Sequence, residues 1–261
     1  MIAGGCYHPL MRAAILFLSC LAITSVPGVA QLMPPNANGV SGGHHIVIVR
    51  DVGASNRFWT ALGAQQAEFG TLKLTKFPGI LLLVREGQNI GGTAGSTVAA
   101  LGFKVRDLKQ ALAQLETAGF KPLPVSSKAE AILMEPNGIY VHVREDRKLA
   151  TPVAADSLEM SVPDVAQARE WYAKWFGSPI PGANPVFEKA AMPAAGTKGR
   201  SFDRVGFEVK GLEEFCRKLE AGGIKLDGAY RKAANMNLAV CLLTDPWGTY
   251  IELSEGLSAV K

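Results

Sequence analysis

The sequence predicts an α+β fold built from four βαβββ units, arranged as two tandem halves with curved mixed sheets. Three observations carry this. "GFKVRDLKQALAQLETAGFK" (102–121) aligns without a gap to "GFEVKGLEEFCRKLEAGGIK" (206–225), sharing Gly, Phe, Val, Leu, Leu, Glu, Gly and Lys in register. "MEPNGIYVHV" (134–143) returns as "TDPWGTYIEL" (244–253), a turn followed by a strand of alternating polarity. The stretches between these pieces place apolar residues at i, i+3, i+4 and i+7, the period of a half-buried helix. Self-similarity at a fixed spacing marks a duplicated structural unit.

The elements follow in order. Residues 11–30, "MRAAILFLSCLAITSVPGVA", combine one arginine, a short apolar run and a small-residue site ending at Ala30. That is a secretory signal pattern, so residues 1–30 are expected to be removed and the protein to be periplasmic or secreted. The run is too short to span a bilayer comfortably, and no membrane association is expected after cleavage. Residues 31–43, "QLMPPNANGVSGG", predict a leader without fixed structure. The first half, 44–147, opens with the strand "HHIVIVR", a helix around 53–62 and strand-like stretches near 65–76 and 80–86. Its second unit has the strand "TVAALGFKV", a helix over 107–118 with Leu108, Ala111, Leu112 and Leu115 on one face, and a glycine C-cap at Gly119. The second half, 155–258, opens with "SLEMSVPD", where Asp164 is a natural N-cap for a helix over 165–176. Its last unit runs strand 204–209, helix 212–221, then the strands "NLAVCLLTD" and "TYIELSE".

Composition narrows the function classes. The net charge is +4 and falls by one on loss of residues 1–30, whose only charged residue is Arg12. No basic run stands out, which argues against a nucleic-acid partner. Cys216 and Cys241 remain after cleavage. They could pair in an oxidising compartment, but Cys216 shares a helix face with Leu212, Phe215 and Leu219, and Cys241 lies in an apolar strand. Two separately buried thiols are therefore expected. Trp59, Trp171, Tyr172, Trp175 and Phe176 fall at helical spacing and predict core, whereas Trp247, in a turn, is placed to rim a cup. Gly102 and Gly206 open strands and predict close packing. No phosphate loop, GxSxG elbow or CxxC is present.

The twice-written turn bears on chemistry. An acid first, proline second and glycine fourth is type I turn chemistry. Beyond it Tyr140, His142 and Arg144 share one strand face, and Tyr250, Glu252 and Ser254 repeat it. With the other face apolar, the polar face looks into whatever the sheet curves around. A His or Glu at matched positions there is what a first-row metal site would use, and from the strand alone also what half-exposed residues on a concave sheet would be.

Strand, helix and strands ending in "DPWGTYIEL" resemble the vicinal oxygen chelate superfamily of glyoxalase I, extradiol dioxygenases and bleomycin-resistance proteins, over nearly all of residues 44–256. The resemblance implies paired units around a cup, with a divalent metal held by His, His and Glu from first and last strands. Here it points to His44 in the first strand, His142 in the closing strand of the second unit, and Glu252 as ligand or general base. It also finds Ala100 and Arg204 at second-histidine positions and Ser157 at the first position of the second half, so neither half holds a full set. Three arrangements remain open. His44 and His142 form one site in the first half, finished by water or an acid such as Glu86. Alternatively, the first unit pairs with the fourth, so that His44 faces Glu252 and Arg204. In the third arrangement the cup binds no metal. The resemblance thus implies either a lyase, isomerase or dioxygenase using Zn, Mn, Fe or Ni, or a metal-free binding or scaffold protein. The partner is a small molecule in both cases, and the protein a monomer or homodimer.

Overall fold

A computed structural model describes residues 32–124 and 127–260, together with Met1. Apart from Met1, the expected signal segment lies outside the described residues. The first unit comprises β2 (His44–Val49), α1 (Val52–Ala61), β3 (Gln65–Phe69), β4 (Leu72–Phe77) and β5 (Ile80–Glu86), preceded by β1 (Val40–Gly42). The second comprises β6 (Val98–Val105), α2 (Leu108–Thr117), β7 (Glu130–Met134) and β8 (Tyr140–Glu145). The third is abbreviated to β9 (Val153–Val162), α3 (Val165–Phe176) and β10 (Asn184–Lys189). In the fourth, β11 (Phe202–Val209), α4 (Leu212–Ala221), β12 (Leu226–Lys232), β13 (Ala239–Thr244) and β14 (Tyr250–Glu255) precede a single 3-10 turn, Leu257–Ala259.

Local chemistry explains the helix boundaries. Asp51, Asp107 and Asp164 cap α1, α2 and α3, each accepting a backbone N–H of the first turn. In α4 the cap position is Gly211, and Glu255 from β14 accepts the N–H groups of Gly211 and Leu212 instead. Part of the leader is structured, against expectation: Asn36 donates to the carbonyls of Phe176 and Pro179, and β1 pairs with β11.

The units pair first with fourth and second with third. One nine-stranded sheet runs β12-β13-β14-β11-β2-β5-β4-β3, with β1 beside β11, and a five-stranded sheet runs β10-β9-β6-β8-β7. Each tandem half therefore contributes one unit to each sheet. At both centres the first strands of the paired units meet antiparallel, β2 with β11 and β6 with β9. The helices and one face of each sheet form a common core. Trp59 of α1 meets Phe77 of the first sheet and Phe103 of the second, while Phe176 of α3 meets Phe207 and Phe215. Trp171 is only partly buried, and Trp247 packs against it and Tyr172 at the margin of this core rather than rimming a cup. Cys216 and Cys241 are buried free thiols, as expected.

The repeated turns are clamped alike. The carboxylate of Glu135 accepts from Asn137 N–H, and that of Asp245 from Trp247 and Thr249 N–H. Thr93 donates its N–H to the Gly138 carbonyl and takes the Tyr140 N–H on its hydroxyl; Thr197 does the same with Gly248 and Tyr250. The clamps set the start of β8 and β14, the strands that carry His142 and Glu252.

Two glycines decide how closely the central strands approach. A Cβ on Gly206 would lie 1.4 Å from the His44 carbonyl oxygen, and one on Gly102 would lie 2.0 Å from Ser157 Oγ. The Gly206→Ala variant is expected to lose more than about 3 kcal/mol in urea unfolding, because backbone must move. Gly119→Ala, where φ is +92° but nothing lies within 4 Å, is expected to cost only about 1 kcal/mol. Equal costs at the two positions would refute the close approach.

Candidate functional site

The pairing creates two equivalent rows of side chains facing away from the common core. In the first sheet Gly206 lies level with Glu252 on β14, and in the second Gly102 lies level with His142 on β8. His44 and Ser157 therefore hold equivalent positions, as do Arg204 and Ala100, and Glu252 and His142. His44 faces Glu252 and Arg204. His142 lies in the other sheet, so the structure does not bring the two histidines into one site.

In the first row, His44 Nε2 is 3.0 Å from Glu252 Oε1, and Arg204 Nη1 donates to Glu252 Oε2 at 2.5 Å. Arg204 Nε also lies 2.9 Å from Asp203, and its guanidinium stacks 4.9 Å from the Tyr250 ring centre. His44 is 5 % and Glu252 8 % exposed, so this is a buried cluster. Burial pushes the Glu252 carboxyl up, but His44 and Arg204 outweigh it and hold it at about 2. The neighbouring His45 points to the opposite face, as alternation requires, and its Nδ1 accepts the Gly206 N–H. Burial, followed by repulsion from His44, lowers its pKa to about 3.

Beside this cluster the cup is covered. Leu257 and Val260 from the chain's end pack on Ile46, Leu74, Leu81 and Leu83, with Leu32 of the leader at the edge.

The second row is open. His142 Nδ1 is 2.7 Å from Glu159 Oε2 and 3.8 Å from Glu130, and Arg144 Nη2 reaches Glu159 at 2.7 Å and Glu130 at 3.2 Å. Burial raises the Glu159 carboxyl; contacts with His142 and Arg144 outweigh this and lower it. A cavity of about 400 Å³ adjoins this group, with Ala100, Leu123, Ile132 and Tyr140 along its walls and His142 and Glu159 at its polar end. Ser157 Oγ, in the place of His44, is buried without a hydrogen-bond partner. Glu159 and Glu130 were missed as site residues, and Arg144 was placed on the His142 face without a role. Alternation on β9 and β7 could have placed the two acids, had the pairing of the units been known.

Chains of known structure share this fold. A variant of glyoxalase I from Zea mays with one glutamate changed to glutamine superposes with a TM-score of 0.66 at 13% identity, covering 83% of this chain and 94% of that one. Unsubstituted maize glyoxalase I gives 0.65 at 14%, covering 83% and 92%. The fold is that of glyoxalase I, consistent with the resemblance to the vicinal oxygen chelate superfamily. A candidate dioxygenase of Bacillus subtilis also matches, with a TM-score of 0.61 at 12% identity, over 82% of this chain and 84% of that one. No family model matches the sequence, and no curated protein does.

The metal that this fold implies does not fit the residues present. In the first row both oxygens of Glu252 are engaged, and the third ligand position carries the permanent charge of Arg204. In the second, the guanidinium of Arg144 binds both carboxylates beside the single imidazole. Among the described residues no group of three His, Cys, Asp or Glu side chains is placed to hold a metal ion.

Two outcomes follow for the buried cluster. Arg204→Ala strands Glu252 and Asp203 and is expected to cost about 3–5 kcal/mol in urea unfolding. A loss under about 1 kcal/mol would show that Arg204 does not hold them. The Glu252 carboxyl is lowered on folding from its ordinary 4.5, so its contribution is complete above that pH and is lost as pH falls towards about 2. Stability of the wild type should drop more steeply with acid than that of Glu252→Gln, by on the order of 3 kcal/mol. Parallel curves would exclude this coupling.

Proposed function

We propose that this is an exported small-molecule-binding protein whose ligand lies in the cup of the second sheet and is held without a metal. The observation that carries this is the contrast between the two cups. In one, Leu257 and Val260 cover the face beside the His44–Glu252 cluster and leave space only beyond it, at Glu208, while the other keeps a cavity of about 400 Å³ directly beside His142 and Glu159. An apolar wall with a few convergent polar groups is the usual make-up of a small-ligand site. The wall favours an apolar body. Contact with Glu159 at Nδ1 leaves Nε2 of His142 to meet a polar group of the ligand, and the same pair is equipped to accept a proton from it. Export rests on residues 11–30 alone.

The rival reading is a metal-dependent enzyme of the glyoxalase or dioxygenase kind, as the structural neighbours are named. Metal analysis of the purified chain after exposure to Fe, Mn, Zn and Ni separates the two. The expected result is no stoichiometric metal. A full equivalent that disappears in His44→Ala or His142→Ala would overturn our reading. Ligand binding itself is tested by screening a fragment set by NMR against wild type and Ala100→Trp, which fills the cavity. Hits should weaken by at least about tenfold in the variant, since the indole occupies their volume. Hits unaffected by the indole would place the ligand elsewhere.

A further inference from the structure

We propose that the first cup is a second ligand site, occupied in this structure by the chain's own C-terminal segment. It takes a small amphiphile with an apolar body and an ammonium or N–H head. Glu208 and what lies around it carry the argument. Its side chain is 9 % exposed on β11, on the same face as Arg204. Oε1 accepts the N–H groups of Gly256 at 2.7 Å, Leu257 at 2.9 Å and Ser258 at 3.3 Å, and Oε2 accepts the Ser254 hydroxyl at 2.8 Å. Among the described residues no lysine or arginine pairs with it, so this carboxylate is satisfied by the tail rather than by a cation. Burial pushes its carboxyl up, against the pull of these hydrogen bonds.

The tail thus offers two things, N–H groups to Glu208 and the side chains of Leu257 and Val260 to the apolar wall. A ligand presenting alkyl carbon and N–H donors makes the same contacts, whereas one with a carboxylate meets Glu208 with like charge. Access exists already. A cavity of about 440 Å³ lies between the leader, at Met33 and Pro34, and the tail, at Gly256 and Ser258, and ends on Glu208. Lys210 and Glu255 also line it and offset each other in charge. A segment held by a single 3-10 turn, Leu257–Ala259, opens at lower free energy than the sheet it covers. An occupied cup lowers the apparent affinity for any competing ligand by the fraction of time the tail is out.

The test measures n-octylammonium and octanoate binding calorimetrically, in the Ala100→Trp background so that the second cup does not contribute. The full chain is compared with one ending at Gly256. Octylammonium should bind the shortened chain at least about tenfold tighter than the full chain. Octanoate should bind neither, and Glu208→Gln should abolish the difference between the two amphiphiles. Equal affinity in both chain lengths, or octanoate binding as well as octylammonium, would overturn the proposal. Should the shortened chain not fold, full-length protein carrying Leu257→Ser and Val260→Ser gives the same readout. This result is independent of the outcome for the second cup, since the two sites share no residue.

Discussion

Both sheets depend on one close approach, the antiparallel meeting of two first strands across a glycine. At Gly206 the partner backbone fills the volume a side chain would take, and at Gly102 a serine does. The missing Cβ has two effects. It lets strands from units far apart in sequence pair at the sheet centre, and it leaves a gap between the side chains on either side. His44 reaches Glu252 across the first gap, over 208 residues of sequence. Long-range pairing of this kind forms only when register is settled, and the glycine settles it by excluding any alternative side chain.

From one geometry the two rows have gone opposite ways. The first became a buried ion cluster, with Arg204 and His44 about one carboxylate, and its cup was closed by apolar residues from both ends of the described chain. Burying charges is costly unless each is met, and here every charged group has a partner. The second carries Ala100 where Arg204 would be, and that shortening opens the volume that the cavity occupies. Its charges stay at the polar end, where Arg144 and His142 balance Glu159. The Ala100 for Arg204 difference and the apolar segment laid over the first row together separate a covered row from an open one.

Much of the fold was legible because local signals agree with one another: aspartate caps, helical periodicity, and a turn repeated with its glycine. The Gly-Thr-x-Gly stretches at 92–95 and 196–199 are equally legible, separated by the same interval as Gly102 and Gly206, yet they passed unread. Their role emerges only from the clamps on Gly138 and Gly248. The site was less legible. Which units pair is a tertiary fact, so His44 remained open to His142 or to Glu252 until the sheet order was known. The tail's packing in the first cup left no trace in the sequence, since Leu257 and Val260 resemble any apolar end.

Residue type at a position that resembles a ligand position is therefore weak evidence for a metal, and the charge between the donors is stronger. His44 and Glu252 stand where donors belong, but the carboxylate's second oxygen is given to a guanidinium that cannot release its proton. A divalent ion arriving there would displace a bond already made and face a fixed positive charge in a site of low dielectric, where repulsion is poorly screened. The cluster needs no further cation, because Arg204 is one. What the first row keeps from the fold is the geometry that gathers charge at the centre of the sheet, where His44, Arg204 and Glu252 tie three strands together.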